Sequence, residues 1–183
     1  MQKKTFTSFN ENADMFDNMI KRIKSIADVH DIMSMEQYQD QMINVDTIIK
    51  KVKNHYLGME VEISYEGDDL YVLGKIATFF ALIVNEIINN CLKHAFKETE
   101  GEKIIEIVIK KIKDDVVIDI CDNGCGLPDS FDIDSNKSLG TRIIKMIAED
   151  QLQGELKYFR SDYGGTEVRI TIPMSQGFTL MLC

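Results

Sequence analysis

Within the stretch "LIVNEIINNCLKHAF" (Leu82–Phe96), one carboxylate, three carboxamides, a lysine and a histidine are set among aliphatic residues. Asn is a poor helix former, and a polar group buried without a partner is costly, so this clustering needs a reason. At about 100° per residue, Val84, Ile87, Ile88, Cys91, Leu92 and Ala95 share one side of a helix. Asn85, Glu86, Asn89, Asn90, Lys93, His94 and Lys97 share the other. The spacing predicts a helix that packs one face on a sheet and offers the opposite face as a polar surface. Glu86, Asn90 and Lys93 or His94 stand on successive turns. Such a row suits a hydrated Mg²⁺ and a polyphosphate, because Mg²⁺ takes oxygen ligands and keeps several waters. The plain alternative is the solvated face of an ordinary amphipathic helix, and the row alone does not decide between them.

A second group of residues tips the balance. "DNGCGLP" (Asp122–Pro128) directly follows the apolar run "VVIDIC". Asp122 leaves a strand into an Asn-Gly turn and can present its carboxylate at the sheet edge. Gly124 and Gly126 supply backbone freedom and room for a flat ring. Further on, "SLGTRIIKMI" opens a helix whose first N–H groups, those of Leu139, Gly140 and Thr141, face any anion placed there. "GGTEVRITIP" puts Thr166 after a Gly-Gly turn, at the mouth of the last strand. Each Gly-rich loop alone reads as an ordinary turn; together, in this order, they point to a nucleotide site.

The positioning elements follow from periodicity. Residues from about Thr5 to Tyr38 read as one long helix, with Met15, Met19, Ile23, Ile26, Val29/His30 and Met33 forming an apolar stripe. That stripe must be buried on something, and it is expected to self-associate through Met15, Met19, Ile26 and Met33. A shorter helix spans about Val45–Leu57, "MEVEISY" alternates like a strand, and "LYVLG" reads as a second strand. The polar helix (Lys75–Lys97) comes next, then strands "KIIEIVIKKI" and "DVVIDICD", joined at Lys113–Asp115. A helix at about Leu139–Asp150 and a hairpin turning at Asp162–Gly165 close the chain. The expected fold is α+β, a two-layer α/β sandwich with a mixed sheet covered by helices. Residues 1–42 form a helical arm and residues 43–183 the domain.

With 183 residues the chain can bury one sizeable core. The formal charge of −9 argues against nucleic acid as a partner, since such binding selects basic faces. Cys121 and Cys125 lack a second pair at metal-like spacing, and Cys91, Cys121, Cys125 and Cys183 read as reduced thiols rather than a disulfide framework. Reduced thiols of this kind are expected of a cytoplasmic protein; no apolar run reaches the length of a membrane span and no secretion signal opens the chain. Membrane attachment of a longer parent stays open.

"NEIINNCLKHAF", "DNGCGLP", "SLGTRII" and "GGTEVRITIP" resemble the asparagine, glycine and closing boxes of the GHKL ATPases. These comprise gyrase, the heat-shock chaperone, histidine kinases and mismatch-repair MutL, which share the Bergerat ATP-binding fold. More narrowly, "IKRIKSIADVHDIM" and "INVDTIIKKV" are similar to the second dimerisation helix of the HisKA_2 class of sensor histidine kinases. The resemblance covers about residues 15–173. It implies that Asn90 coordinates Mg²⁺, that Glu86 lies near the reacting phosphate as a candidate base, and that Lys93 contacts the phosphates with His94 beside it. Asp122 would accept from the adenine amino group, helped by Thr166, while Gly124 and Gly126 shape the pocket. Gly140 and its neighbours Leu139 and Thr141 would hold phosphate, and Pro128–Ser138 would form a short ATP lid. The implied activity is phosphoryl transfer from Mg·ATP to a histidine, with homodimerisation helices and a response-regulator receiver domain as partners.

The acceptor box of that class, similar to "HHRVKNNLQ", does not occur here. His30 matches the second-helix position and is expected to pack, and His55 has no chemistry beside it in sequence. The chain therefore reads as the C-terminal part of a longer kinase, with its substrate histidine elsewhere. Competing readings are an anti-sigma-type Ser/Thr kinase, a hydrolysing GHKL ATPase, and a non-catalytic phosphotransfer or scaffold protein that kept the shape but not the nucleotide. The long arm argues against the Ser/Thr kinase, and the intact boxes argue against the scaffold.

Overall fold

The structure, a computed structural model, describes residues 16, 19–28, 30–31, 42–96, 101–128, 131–133 and 138–180. Helical residues 19–28 (α1) represent the arm. Most of the expected Thr5–Tyr38 helix, including Met15, Val29 and Met33, lies outside the described residues, as does Lys97. In the arm, Met19, Ile23 and Ile26 are exposed. His30 is exposed too, rather than packed.

Alternation of side chains builds the main sheet. β2 (Glu62–Gly67), β4 (Ile104–Ile112), β5 (Asp115–Asp122), β6 (Glu155–Arg160) and β7 (Thr166–Pro173) form five strands in the order β2-β4-β5-β7-β6. β2 runs parallel to β4 and the remaining neighbours are antiparallel, so the sheet is mixed, as expected. Along β5, Val116, Ile118, Ile120 and Asp122 point inward, and along β7 so do Thr166, Val168, Ile170 and Ile172. The period of two therefore places an acid and a hydroxyl at the end of two otherwise aliphatic inward rows.

Helices α2 (Val45–Asn54), α3 (Gly74–Asn90) and α4 (Leu139–Lys145) supply the second layer. α3 continues into a wider π-type turn at Cys91–Ala95, and α4 does so at Met146–Gln151. Asn44 caps α2, its Oδ1 accepting from the Asp46 N–H at 2.8 Å. Against the expectation from apolar runs, Gly74–Ala95 is long and apolar enough to cross a membrane by length and composition. It is the core helix, with 67% of its most apolar window buried in the protein. A second, small sheet, absent from the sequence-based expectation, joins β1 (Met42–Asn44), β3 (Leu70–Leu73) and β8 (Phe178–Leu180) in the order β1-β3-β8.

The polar side of α3 is not a solvated surface. Asn85, Glu86 and Asn89 are as buried as the aliphatic side. Tyr56, just after α2, covers the first of them: its hydroxyl donates to Asn85 Oδ1 at 2.8 Å and also meets the Asn85 carbonyl at 3.2 Å. Burial pushes the Tyr56 phenol far above its usual range, with the negative charge of Glu86 adding to the effect. The phenol therefore stays a donor at any ordinary pH. Tyr56→Phe leaves the Asn85 oxygen buried with a partner removed, and is expected to lower stability by about 1–3 kcal/mol. The readout is a lower urea midpoint at unchanged m-value.

Candidate functional site

Between the C-terminal half of α3, the end of β5 and the start of α4 lies a cavity of 660 Å³. That is within the range of small-molecule sites. Ile87, Ala95, Leu127, Phe131 and Val168 make its walls apolar, and Asp122 and Thr166 sit at its sheet end. Asp122 is 4% exposed. Its Oδ1 accepts the Gly124 N–H at 2.9 Å and the Thr166 N–H at 3.1 Å. Backbone donors thus satisfy and orient a carboxylate that would otherwise be costly to bury. The approach of β7 is possible only because Gly165 has no side chain: a Cβ there would collide with the Asp122 carbonyl and reach its carboxylate. Gly126 adopts a left-handed φ of 74°, a conformation that favours glycine, whereas Gly124 is needed for closeness, since a Cβ would strike Ala95.

Two thiols frame this carboxylate. Cys91 is buried on the cavity wall and hydrogen-bonded to Asp122; desolvation first, and the Asp122 charge second, push its pKa well above normal. Cys125 is exposed at the cavity lining, its backbone N–H fixed to the Ala95 carbonyl at 3.0 Å.

Asn90, His94, Ser138 and Thr141 also line the cavity. Lys93, expected to reach phosphate, does not line it; the π-type turn at Cys91–Ala95 presents His94 instead. Ser138 caps α4, its Oγ accepting the Thr141 N–H at 3.2 Å. Of the amides expected to face an anion, that of Thr141 is therefore taken by the chain itself, which leaves those of Leu139 and Gly140 for the role. Gly140 abuts α3 so closely that a Cβ would lie 2.9 Å from Glu86 Oε2 and 3.3 Å from Asn90 Oδ1. Of the lid expected at Pro128–Ser138, the described part is Phe131–Ile133 with both ends of the segment. Phe131 sits with its ring centroid 5.1 Å from that of Tyr158.

Glu86 does not open onto this cavity. Its carboxylate is gripped by the arm, with Arg22 Nε 2.5 Å from Oε1 and Arg22 Nη2 2.6 Å from Oε2. A bidentate, charge-assisted pair of this kind is among the stronger side-chain contacts. The Glu86 hydrogen bond holds the Arg22 guanidinium still more firmly protonated, outweighing its partial burial. Beside it, Lys21 Nζ lies 3.4 Å from Asn89 Oδ1 and 4.7 Å from the centre of the Tyr56 ring. His55 Nε2 meets Asp28 Oδ2 at 2.6 Å. Sequence reading missed Lys21, Arg22 and Asp28. The signal available was the basic and acidic spacing of "IKRIKSIAD", read there only for its apolar stripe.

Residues 76–176, just over half of the chain, match the family described as histidine kinase-, DNA gyrase B- and HSP90-like ATPases. The chain belongs to that family. Among its curated relatives are sensor histidine kinase PdtaS of Mycobacterium tuberculosis, 27% identical over 181 residues, and blue-light-activated histidine kinase 2 of Erythrobacter litoralis, 25% identical over 174 residues. The first alignment takes in 96% of this chain and 36% of the relative; the second takes in 91% and 49%. The chain thus spans between a third and a half of the length of these two relatives. Among solved structures, the histidine kinase domain of an Erythrobacter litoralis blue-light activated histidine kinase superposes with a TM-score of 0.75 at 23% identity. That superposition covers 87% of this chain and 76% of the other, and it establishes the fold: the mixed sheet and covering helices are those of the histidine kinase-like ATPases. Membership supports ATP as the nucleotide used.

Thiol chemistry offers a direct check on the cavity. A raised pKa means less thiolate at a given pH, and burial together with nearby carboxylates pushes Cys121 up to about 12. Among the cysteines of the described residues, a disulfide-exchange reagent at about pH 8 is expected to modify exposed Cys125 first, Cys121 more slowly and Cys91 only on unfolding. Saturating ATP should protect Cys125. Fast labelling of Cys91 in the folded protein would contradict this placement.

Proposed function

We propose that these residues form the ATP-binding catalytic part of a sensor histidine kinase, moving the γ-phosphate of ATP to a histidine outside this segment. The observation that carries the reading is Asp122, a buried carboxylate oriented by two backbone amides at the end of an otherwise apolar cavity. An acceptor so placed suits the exocyclic amine of adenine between apolar walls, with Thr166 and Gly126 at the ring edge. The names of the relatives support the kinase assignment, and the arm's "IKRIKSIADVH" supports the HisKA_2 class within it.

The polyphosphate would run toward Asn90, His94 and the start of α4, where the Leu139 and Gly140 amides and the closeness of Gly140 to Asn90 make a tight corner. Asn90 Oδ1 fits as a ligand for Mg²⁺, because that ion binds through few protein oxygens and takes the rest of its shell from phosphate and water. When bound, the ion would offset phosphate charge. The chain's own part is then positioning and charge complementarity, as is general for phosphoryl transfer. Glu86, one turn before Asn90, would receive the proton of the attacking imidazole. Dimerisation through the arm and a receiver-domain partner complete the assignment to a two-component system. The catalytic part itself would work in the cytoplasm, whether or not the whole protein is attached to a membrane.

Calorimetric titration of ADP and a non-hydrolysable ATP analogue, with and without Mg²⁺, tests the pocket. Binding is expected for the parent chain, and Asp122→Asn, which replaces an acceptor by a donor, is expected to abolish it. No binding to the parent at millimolar nucleotide would leave a kinase-shaped scaffold. For the base, Glu86→Gln in the full-length protein is expected to cut histidine phosphorylation with ATP affinity nearly unchanged; a loss of affinity instead would make Glu86 a binding residue.

A further inference from the structure

We propose that Arg22 is a positioning residue that governs Glu86: while the arm is docked its guanidinium occupies the catalytic carboxylate, and phosphoryl transfer requires Arg22 to withdraw. This rests on Glu86 acting as the base. In that step the imidazole nitrogen bonds to the γ-phosphorus as the bond to the ADP oxygen breaks, and the imidazole proton passes to the Glu86 carboxylate. A base must stand within hydrogen-bond reach of the proton it takes, with a lone pair directed at it. Here both oxygens face Arg22, at 2.5 and 2.6 Å, and the Glu86 side chain is only 3% exposed. An imidazole has no path to it until the guanidinium moves.

The arm is built to come off. The side of α1 that meets the domain is polar: Lys21 against Asn89 and Tyr56, Arg22 against Glu86, Asp28 against His55, with Ser25 buried in the middle. Its apolar residues, Met19, Ile20, Ile23 and Ile26, lie exposed instead. The exposed hydrogen bonds and ion pairs of such an interface exchange their partners for water at small net change, whereas an apolar interface loses the full hydrophobic term on separation. The buried Arg22–Glu86 pair is the contact whose separation carries the cost.

The site of the clamp ties docking to the nucleotide. Glu86 Oε2 and Asn90 Oδ1 both border the same point beside Gly140, so the clamp sits next to the corner assigned to the phosphates. A docked Arg22 can therefore coexist with a bound adenine while holding the reacting end of the site closed.

The test uses the full-length protein, with Arg22→Gln, Arg22→Lys and Glu86→Gln. Two measurements are made: initial phosphohistidine formation at saturating Mg·ATP, and amide hydrogen exchange across residues 19–28. Arg22→Gln is expected to raise the transfer rate about five-fold or more, the low end of ordinary coupling between a two-state element and a site. Exchange in residues 19–28 should accelerate with it. Arg22→Lys keeps the charge but loses the fork, and should fall between parent and Arg22→Gln. A lowered rate in Arg22→Gln at unchanged KM for ATP would overturn the proposal and make Arg22 part of the transfer machinery; an unchanged rate would overturn it as well. If Glu86→Gln transfers as fast as the parent, the base reading is what fails. That is a different result from an Arg22→Gln rate that does not rise while Glu86→Gln abolishes transfer.

Discussion

The fold turns on how α3 buries a polar face. Asn85, Glu86 and Asn89 are at most 5% exposed, in a helix whose other side is aliphatic. Such groups demand partners, because an unpaired polar atom in the interior costs more than the hydrogen bond it lacks. The demand is met in part: the Asn85 and Asn89 oxygens and the Glu86 carboxylate are served, while the Asn85 and Asn89 Nδ2 atoms are buried with no partner among the described residues. That demand recruits the surrounding structure. Tyr56 follows α2 closely enough to reach Asn85, Arg22 and Lys21 bring the arm onto Glu86 and Asn89, and α4 closes on Asn90 at a glycine. The contacts that hold these elements to α3 are therefore as much electrostatic as hydrophobic, and they decide where the arm lies.

Asp122 answers the same demand by different means. Its partners are backbone amides from its own loop and from β7, which cannot leave without unpairing the sheet. The surrounding walls are core side chains of α3, β5 and β7. One carboxylate is thus fixed by the framework and the other by a detachable helix. The contrast suits the proposed roles: an acceptor for adenine would have to hold still, whereas a group that takes a proton would have to become free at the right moment.

The strands carrying this framework were legible because their signal is local. β4, β5 and β7 alternate inward and outward over eight or nine residues, and the same alternation assigns Asp122 and Thr166 to the inner face. β1 and β8 were not legible: each has only three residues, too few for a period, and each exists through pairing with β3. The polar row of α3 was legible as a row offered for contact, but what covers Asn85, Glu86 and Asn89 was not. Its covering residue Arg22 lies 64 positions away in the chain, and no periodicity links the two. That His94 rather than Lys93 lines the cavity was not legible for a related reason, since a π-type turn departs from the 3.6-residue spacing on which a helical wheel is drawn.

Glu86 and Asn90 are one turn apart on α3, yet they face different neighbours: Asn90 the cavity, Glu86 the arm. Between them stands Gly140, the closest approach of α4, so a shift of any one element is felt by the other two. Close packing makes such a corner respond in steps, because neighbouring side chains cannot yield by small amounts. On the proposed assignment, a phosphate at the start of α4 and Arg22 on Glu86 would draw on the same few ångströms of space. Chemistry at this corner would then depend on how that space is divided between the arm and the nucleotide.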